Sequence, residues 1–145
     1  MARTDKEAVV LKDKGRIRSK KVMNVALRLA AERGEDTVIY DVSSRNPLVR
    51  YAIITSGASD RRLESLTQEA EAALKDNGFV VDHVEGKNGS QWFLVDASSV
   101  VVHAFSREER ERVKLDALYA PLPHKTITDD EVEAYVKGSS KEEGD

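Results

Sequence analysis

Apolar and polar positions along the chain alternate between two periods. Val22, Val25, Ala26, Leu29 and Ala30 recur at three- and four-residue intervals, which predicts an amphipathic helix that Gly34 can end. Thr37 to Val42, TVIYDV, predicts a buried strand, Ser43 to Pro47 the turn after it, and Tyr51 to Thr55 a second strand. Ser59 and Asp60 supply a cap and a first-turn acid for the stripe Leu63, Leu66, Ala70, Ala73 and Leu74, a helix that Asn77 and Gly78 stop. Three short strands should follow: Phe79 to Val84, Gln91 to Ala97 after a KNGS turn, and Ser99 to Phe105. Ser106 and Glu109 form a capping box for a charged helix running to about Tyr119, with Pro121 and Pro123 ending regular structure. Thr128 with Glu131 repeats that signature, so a last helical turn or two should carry Val132, Tyr135 and Val136 before a disordered end.

That order implies an α/β (α+β) fold: a mixed sheet of about five strands with helices mainly on one face and the other left open. The helix after the second strand permits a right-handed crossover and a parallel pair, whereas the short links that follow demand antiparallel neighbours. With 145 residues there is room for one domain, placed at 22–121, between an arm at 1–21 and a tail at 122–145 that holds the possible short helix.

Charge changes the picture at the two ends. The net charge is −3, yet the arm carries Arg3, Lys6, Lys12, Lys14, Arg16, Arg18, Lys20 and Lys21 against three acids, and the tail is acidic. A basic arm suits contact with ribosomal RNA, because each phosphate neutralised releases counterions, whereas the acidic tail reads as solvated surface. The longest apolar run, Ser99 to Phe105, is far short of the roughly 18 to 20 residues that cross a bilayer, so no membrane association is expected. The first residues lack a signal core, and the expected location is the cytoplasm. With no cysteine, disulfides, thiol nucleophiles and thiolate metal sites are excluded.

Candidate chemistry is sparse. ITSGASDRR, 54 to 62, places a Gly and Ser turn between a strand and a helix, as phosphate binders do, and Arg61 and Arg62 add charge. A nucleotidyltransferase also needs paired carboxylates to hold magnesium, and Asp82, Glu85 and Asp96 form no Asp-x-Asp pair. A nucleotide-binding or nucleotidyltransferase-like enzyme using the SGAS turn stays as the alternative reading. His83, His103 and His124 lack metal-ligand spacing, and no serine sits in a nucleophile elbow. The residues point to a binding protein rather than an enzyme.

RYAIITSGASDRR, HVEG at 83–86, QWFLVDASSVVVHAF at 91–105 and LDALYAP together resemble the ribosomal silencing factor family (RsfS, also called Iojap or YbeB). The resemblance covers about 22 to 121. It implies a nucleotidyltransferase-like layout without catalytic carboxylates, with no cofactor and no metal. It also implies binding to the large ribosomal subunit through the fourteenth large-subunit ribosomal protein, steric block of subunit joining, repression of translation, and a homodimer in isolation. Trp92 matches the family's interface tryptophan. On an extended strand Trp92, Leu94 and Asp96 share one face, and Phe93 and Val95 the other. Glu85, Asp96, Glu111 and Asp116 would meet basic groups on the partner, with surface solvation as the rival account, and Leu115 either packs inward or touches the partner. The rival expectation for Trp92 is a ring buried under Leu115 or Leu118. Arg50, Arg62, Ser98 with Ser99, and Val113 depart from the family's usual residues.

Overall fold

The computed structural model describes residues 17–86 and 89–144. Most of the basic arm, and Lys87 and Asn88 of the expected KNGS turn, lie outside them.

Helix α1 (Lys20–Ala31) begins at Ser19, whose hydroxyl accepts from the Val22 N–H at 3.2 Å, and it buries Val22, Val25, Ala26 and Leu29. Its end differs from the expectation. Arg33, not a glycine, takes the left-handed backbone, with φ 67°. Gly34 is needed because a Cβ there would lie 2.4 Å from Thr55 Oγ1 and 2.7 Å from the Leu29 carbonyl oxygen. Strands β1 (Glu35–Asp41) and β2 (Tyr51–Gly57) follow, the second buried throughout. Helix α2 (Asp60–Asp76) is capped by Ser59, which accepts from the Arg62 N–H at 3.1 Å. Then come β3 (His83–Glu85), β4 (Trp92–Asp96), β5 (Val100–Ser106), α3 (Arg107–Val113), α4 (Leu115–Tyr119), β6 (His124–Thr126) and α5 (Asp129–Gly144).

The α/β class and the mixed sheet are as expected, with six strands in the order β3-β4-β5-β2-β1-β6. The α2 crossover makes β2 and β5 parallel neighbours, and every other pairing is antiparallel. Four expectations are corrected. Regular structure does not end at Pro121 and Pro123: they flank a turn, closed by Leu122 N–H to the Tyr119 carbonyl at 2.9 Å, and the chain returns as β6 along β1. The charged helix does not run unbroken to Tyr119, because Lys114 at φ 58° separates α3 from α4. The third strand is shorter than expected, since Val80 stays exposed and pairing with β4 begins only at the Asp82 N–H, 2.7 Å from the Asp96 carbonyl. The last helix is longer than one or two turns.

Packing separates the sheet's faces. α1 and α2 cover the side carrying Ile53, Phe93, Val95, Val100, Val102 and Ala104, with Val132 of α5 packed against the same cluster. The opposite side carries Val38, Tyr40, Ala52, Ile54 and Phe105, and only Val113, Leu115 and Tyr119 of α3 and α4 lie over it. Helices thus lie mainly on one face, and the β3–β4 end of the other has none.

Candidate functional site

Register assembles the uncovered surface. The turn at Ala97–Val100 sets Trp92 opposite Phe105, Leu94 opposite His103 and Asp96 opposite Val101, while β3 sets Glu85 opposite Leu94 and His83 opposite Asp96. Alternation then puts Glu85, Trp92, Leu94 and Asp96 on the face turned away from α1 and α2. Trp92 is 39% exposed, so burial under Leu115 or Leu118 is not the arrangement found.

The indole is held in place. Its ring lies 4.9 Å from Phe105, and its N–H donates to His103 Nδ1 at 3.1 Å, which requires that nitrogen to be unprotonated. His103 in turn stacks on Phe105 at 6.0 Å. Burial lowers the His103 pKa from 6.5 to about 4, against an opposing pull from Asp116. Beside this platform His83 bridges the acids, with Nε2 2.9 Å from Glu85 and Nδ1 3.6 Å from Asp96. The hydrogen bond to Glu85 raises its pKa.

A pH dependence follows. The unfolded chain protonates His103 near pH 6.5 and the folded chain only near 4. Stability is therefore lost as pH falls across that window, by about 3 kcal/mol in total, and is flat with respect to this group below it. Denaturation midpoints of wild type and His103→Gln, compared from pH 7 to 4, should converge as pH falls; parallel curves would refute the assignment.

The remaining candidates fall elsewhere. Asp116 does not project to solvent as a free acid. Arg110 donates to it from Nε (2.7 Å) and Nη2 (3.0 Å), and the Tyr40 hydroxyl donates at 2.6 Å. Burial raises the Asp116 pKa, but these bonds outweigh it and the net shift is downward. The same guanidinium reaches Ser56 Oγ (3.0 Å) and the carbonyls of Glu35 (3.3 Å) and Asp36 (2.8 Å), so all five of its N–H groups are used. Leu115 packs against the Tyr40 cluster, and Glu111 is exposed beside this network. The packed, hydrogen-bonded state of His103, inside the apolar run VVHAF, is legible from the sequence, whereas Arg110, Tyr40 and the stacking of Phe105 under Trp92 are not.

The cleft of about 580 Å³ at the ends of β2 and β5 bears on the nucleotide reading. Ser56 lies in it, but Arg110 is occupied, Arg107 pairs with Glu35, and Asp82 and Asp96 are bound to the turn at Ser98. The first-turn Asp60 of α2 accepts from Gln91 at 3.1 Å, where a phosphate would need to sit. Among the described residues, no group of three His, Asp or Glu is placed to hold a metal ion.

Comparison with known proteins gives this surface a context. The sequence profile of the family described as "Ribosomal silencing factor during starvation", RsfS, matches residues 16–145. The chain belongs to the RsfS family. It is 32% identical over 92 residues to the ribosomal silencing factor RsfS of Bacillus subtilis, covering 63% of this chain and 78% of that one. A mouse protein named "Mitochondrial assembly of ribosomal large subunit protein 1" is 29% identical over 94 residues, covering 63% of this chain and 41% of the mouse protein. A crystal structure of a Chromobacterium violaceum protein superposes with a TM-score of 0.65 at 28% identity, covering 70% of this chain and 84% of that one. RsfS membership places the chain among ribosome-associated regulators of translation rather than known enzymes. The positions expected from the resemblance to depart from the family pattern have local roles here. Arg50 lies 5.4 Å over the Tyr51 ring, Arg62 donates to the Glu32 carbonyl at 3.2 Å, Ser98 forms the turn at φ 64°, and Val113 packs on the Tyr40 cluster. Among the described residues, no helix is long and apolar enough to cross a membrane.

Proposed function

We propose that this chain binds the large ribosomal subunit through the sheet face centred on Trp92 and, by occupying that surface, prevents the small subunit from joining. The observation that carries the reading is the prearranged, half-exposed indole of Trp92 at the helix-free β3–β4 end of its face, flanked by Leu94, Glu85 and Asp96. A rigid aromatic loses little entropy on docking, and acids at the rim suit a basic partner surface. The fourteenth large-subunit ribosomal protein, named by the resemblance, is the docking partner. The mouse relative's name, which refers to the ribosomal large subunit, supports the choice of subunit. Glu111 extends the rim, whereas Leu115 and Asp116 act by shaping α4. The action is in the cytoplasm and requires neither cofactor nor catalysis. When no ribosome is bound, the same face pairs two copies as a homodimer.

Sedimentation tests this directly. The purified chain should travel with large subunits and not with small ones, and in excess it should lower the yield of joined ribosomes. Unaltered joining at saturating concentration would sink the reading.

A further inference from the structure

A second surface lies at the N-terminal end of α1, where charge is positive and not neutralised. Arg18, Lys20 and Lys21 are exposed, and among the described residues no carboxylate pairs with any of them. This is unlike Arg28, Arg107, Arg110, Arg112 and Lys125, each within 2.8 Å of an acid. Helical spacing continues the row from Lys20 and Lys21 to Asn24 and Arg28. It leads into a groove of about 480 Å³ between α1, the end of α2 and α5, where Asn24, Asn77 and Tyr135 form the walls. Arg28 pairs there with both Glu69 and Asp76, each at 2.7 Å; the Asn24 amide donates to the Asn77 oxygen at 3.3 Å and the Asn77 amide to the Ala73 carbonyl at 2.8 Å, which leaves the Asn24 oxygen and one N–H of each amide for a ligand. The groove is thus polar with one aromatic wall, and the Lys21 ammonium lies beside it at Gly78.

We propose that this surface binds single-stranded RNA. Arg18, Lys20 and Lys21 hold successive phosphates, and the groove receives a base that hydrogen-bonds to the two amides and stacks on Tyr135. An acidic peptide would satisfy the cations but leave the amides and ring unused. The surface is separate from Trp92: the first turn of α2 touches Gln91 beside Trp92, and its last turn touches Asn24 and Arg28. The 17 residues of α2, about 25 Å, lie between them, so RNA and a protein can be held together. The presence of RNA near the chain rests on the ribosomal reading; the binding itself does not.

The test is fluorescence polarisation of the full chain with a labelled 12-nucleotide single-stranded RNA. Affinity should fall at least tenfold between 50 and 200 mM salt, and Arg18→Gln, Lys20→Gln and Lys21→Gln together should reduce the log–log salt slope by about two. Tyr135→Ala should weaken binding by about tenfold with the slope unchanged, and Tyr135→Phe should restore it. An undiminished slope in the triple variant overturns the proposal, as does a Tyr135→Ala variant that binds RNA like wild type, since only general polyanion attraction would then remain. Trp92→Ala should leave the oligonucleotide affinity unchanged. A chain that binds RNA in this way but ignores large subunits overturns the ribosomal reading alone; the converse overturns this one alone.

Discussion

Trp92→Ala is expected to weaken large-subunit binding by thirtyfold or more. A central aromatic hot spot contributes about 2 kcal/mol or more, which is about thirtyfold in affinity. The ring qualifies because Phe105 and His103 already fix its orientation, so docking has little rotamer freedom left to remove. The fold should survive, because the ring is partly solvated and the cluster of Phe93, Val95 and Val102 lies on the other face. Circular dichroism establishes folding and sedimentation establishes binding. A folded variant that binds like wild type removes Trp92 from the interface. Trp92→Phe should recover part of the loss, since it keeps the stack on Phe105 and drops only the indole N–H.

Arg110→Met is expected to destabilise the fold by about 3 kcal/mol. Removing one partner of a buried pair strands the other, and Asp116 would keep only the Tyr40 hydroxyl and a backbone N–H. The value sits at the low end of the range for such changes because the Asp116 side chain is 31% exposed. For a domain of this size the melting temperature should fall by roughly 10 °C. The double substitution Arg110→Met with Asp116→Leu should recover more than half of that, since no charge is then stranded. A single variant with an unchanged melting temperature would show that the five hydrogen bonds are not what holds α3 and α4 on the sheet.

The contrast between these two residues shows how far the chain is legible before its structure is known. Strands β4 and β5 and the face of Trp92 follow from strict alternation in QWFLVDASSVVVHAF. Its two-residue turn would even have paired Trp92 with Phe105, had register been counted outward from Ser98 and Ser99. Helices α1 and α2 were legible because their buried stripes repeat at 3.6 residues. Arg110 was not, because in REERER every position reads as solvated charge. Its role comes from the left-handed Lys114, which no glycine announces, and from the break that folds Asp116 back to it. Strand β6 was missed for a related reason: three residues after a Pro-Leu-Pro turn carry no period, and their pairing is dictated by an edge of β1 far along the sequence.

The parallel seam between β2 and β5 carries a kinetic consequence. Helix α1 to α2 is one stretch of local structure, and β3 to β5 is a second, a meander that can form by short turns. The two share one line of backbone pairing, from Tyr51 with Val100 to Gly57 with Ser106, beneath the face where α1 and α2 pack on Phe93, Val95 and Val102. During synthesis, β2 leaves the ribosome well before its central partner exists, so docking of the meander is the non-local, rate-setting event of folding. The surface that carries Trp92 lies wholly within that meander, so its register is set before the zipper closes.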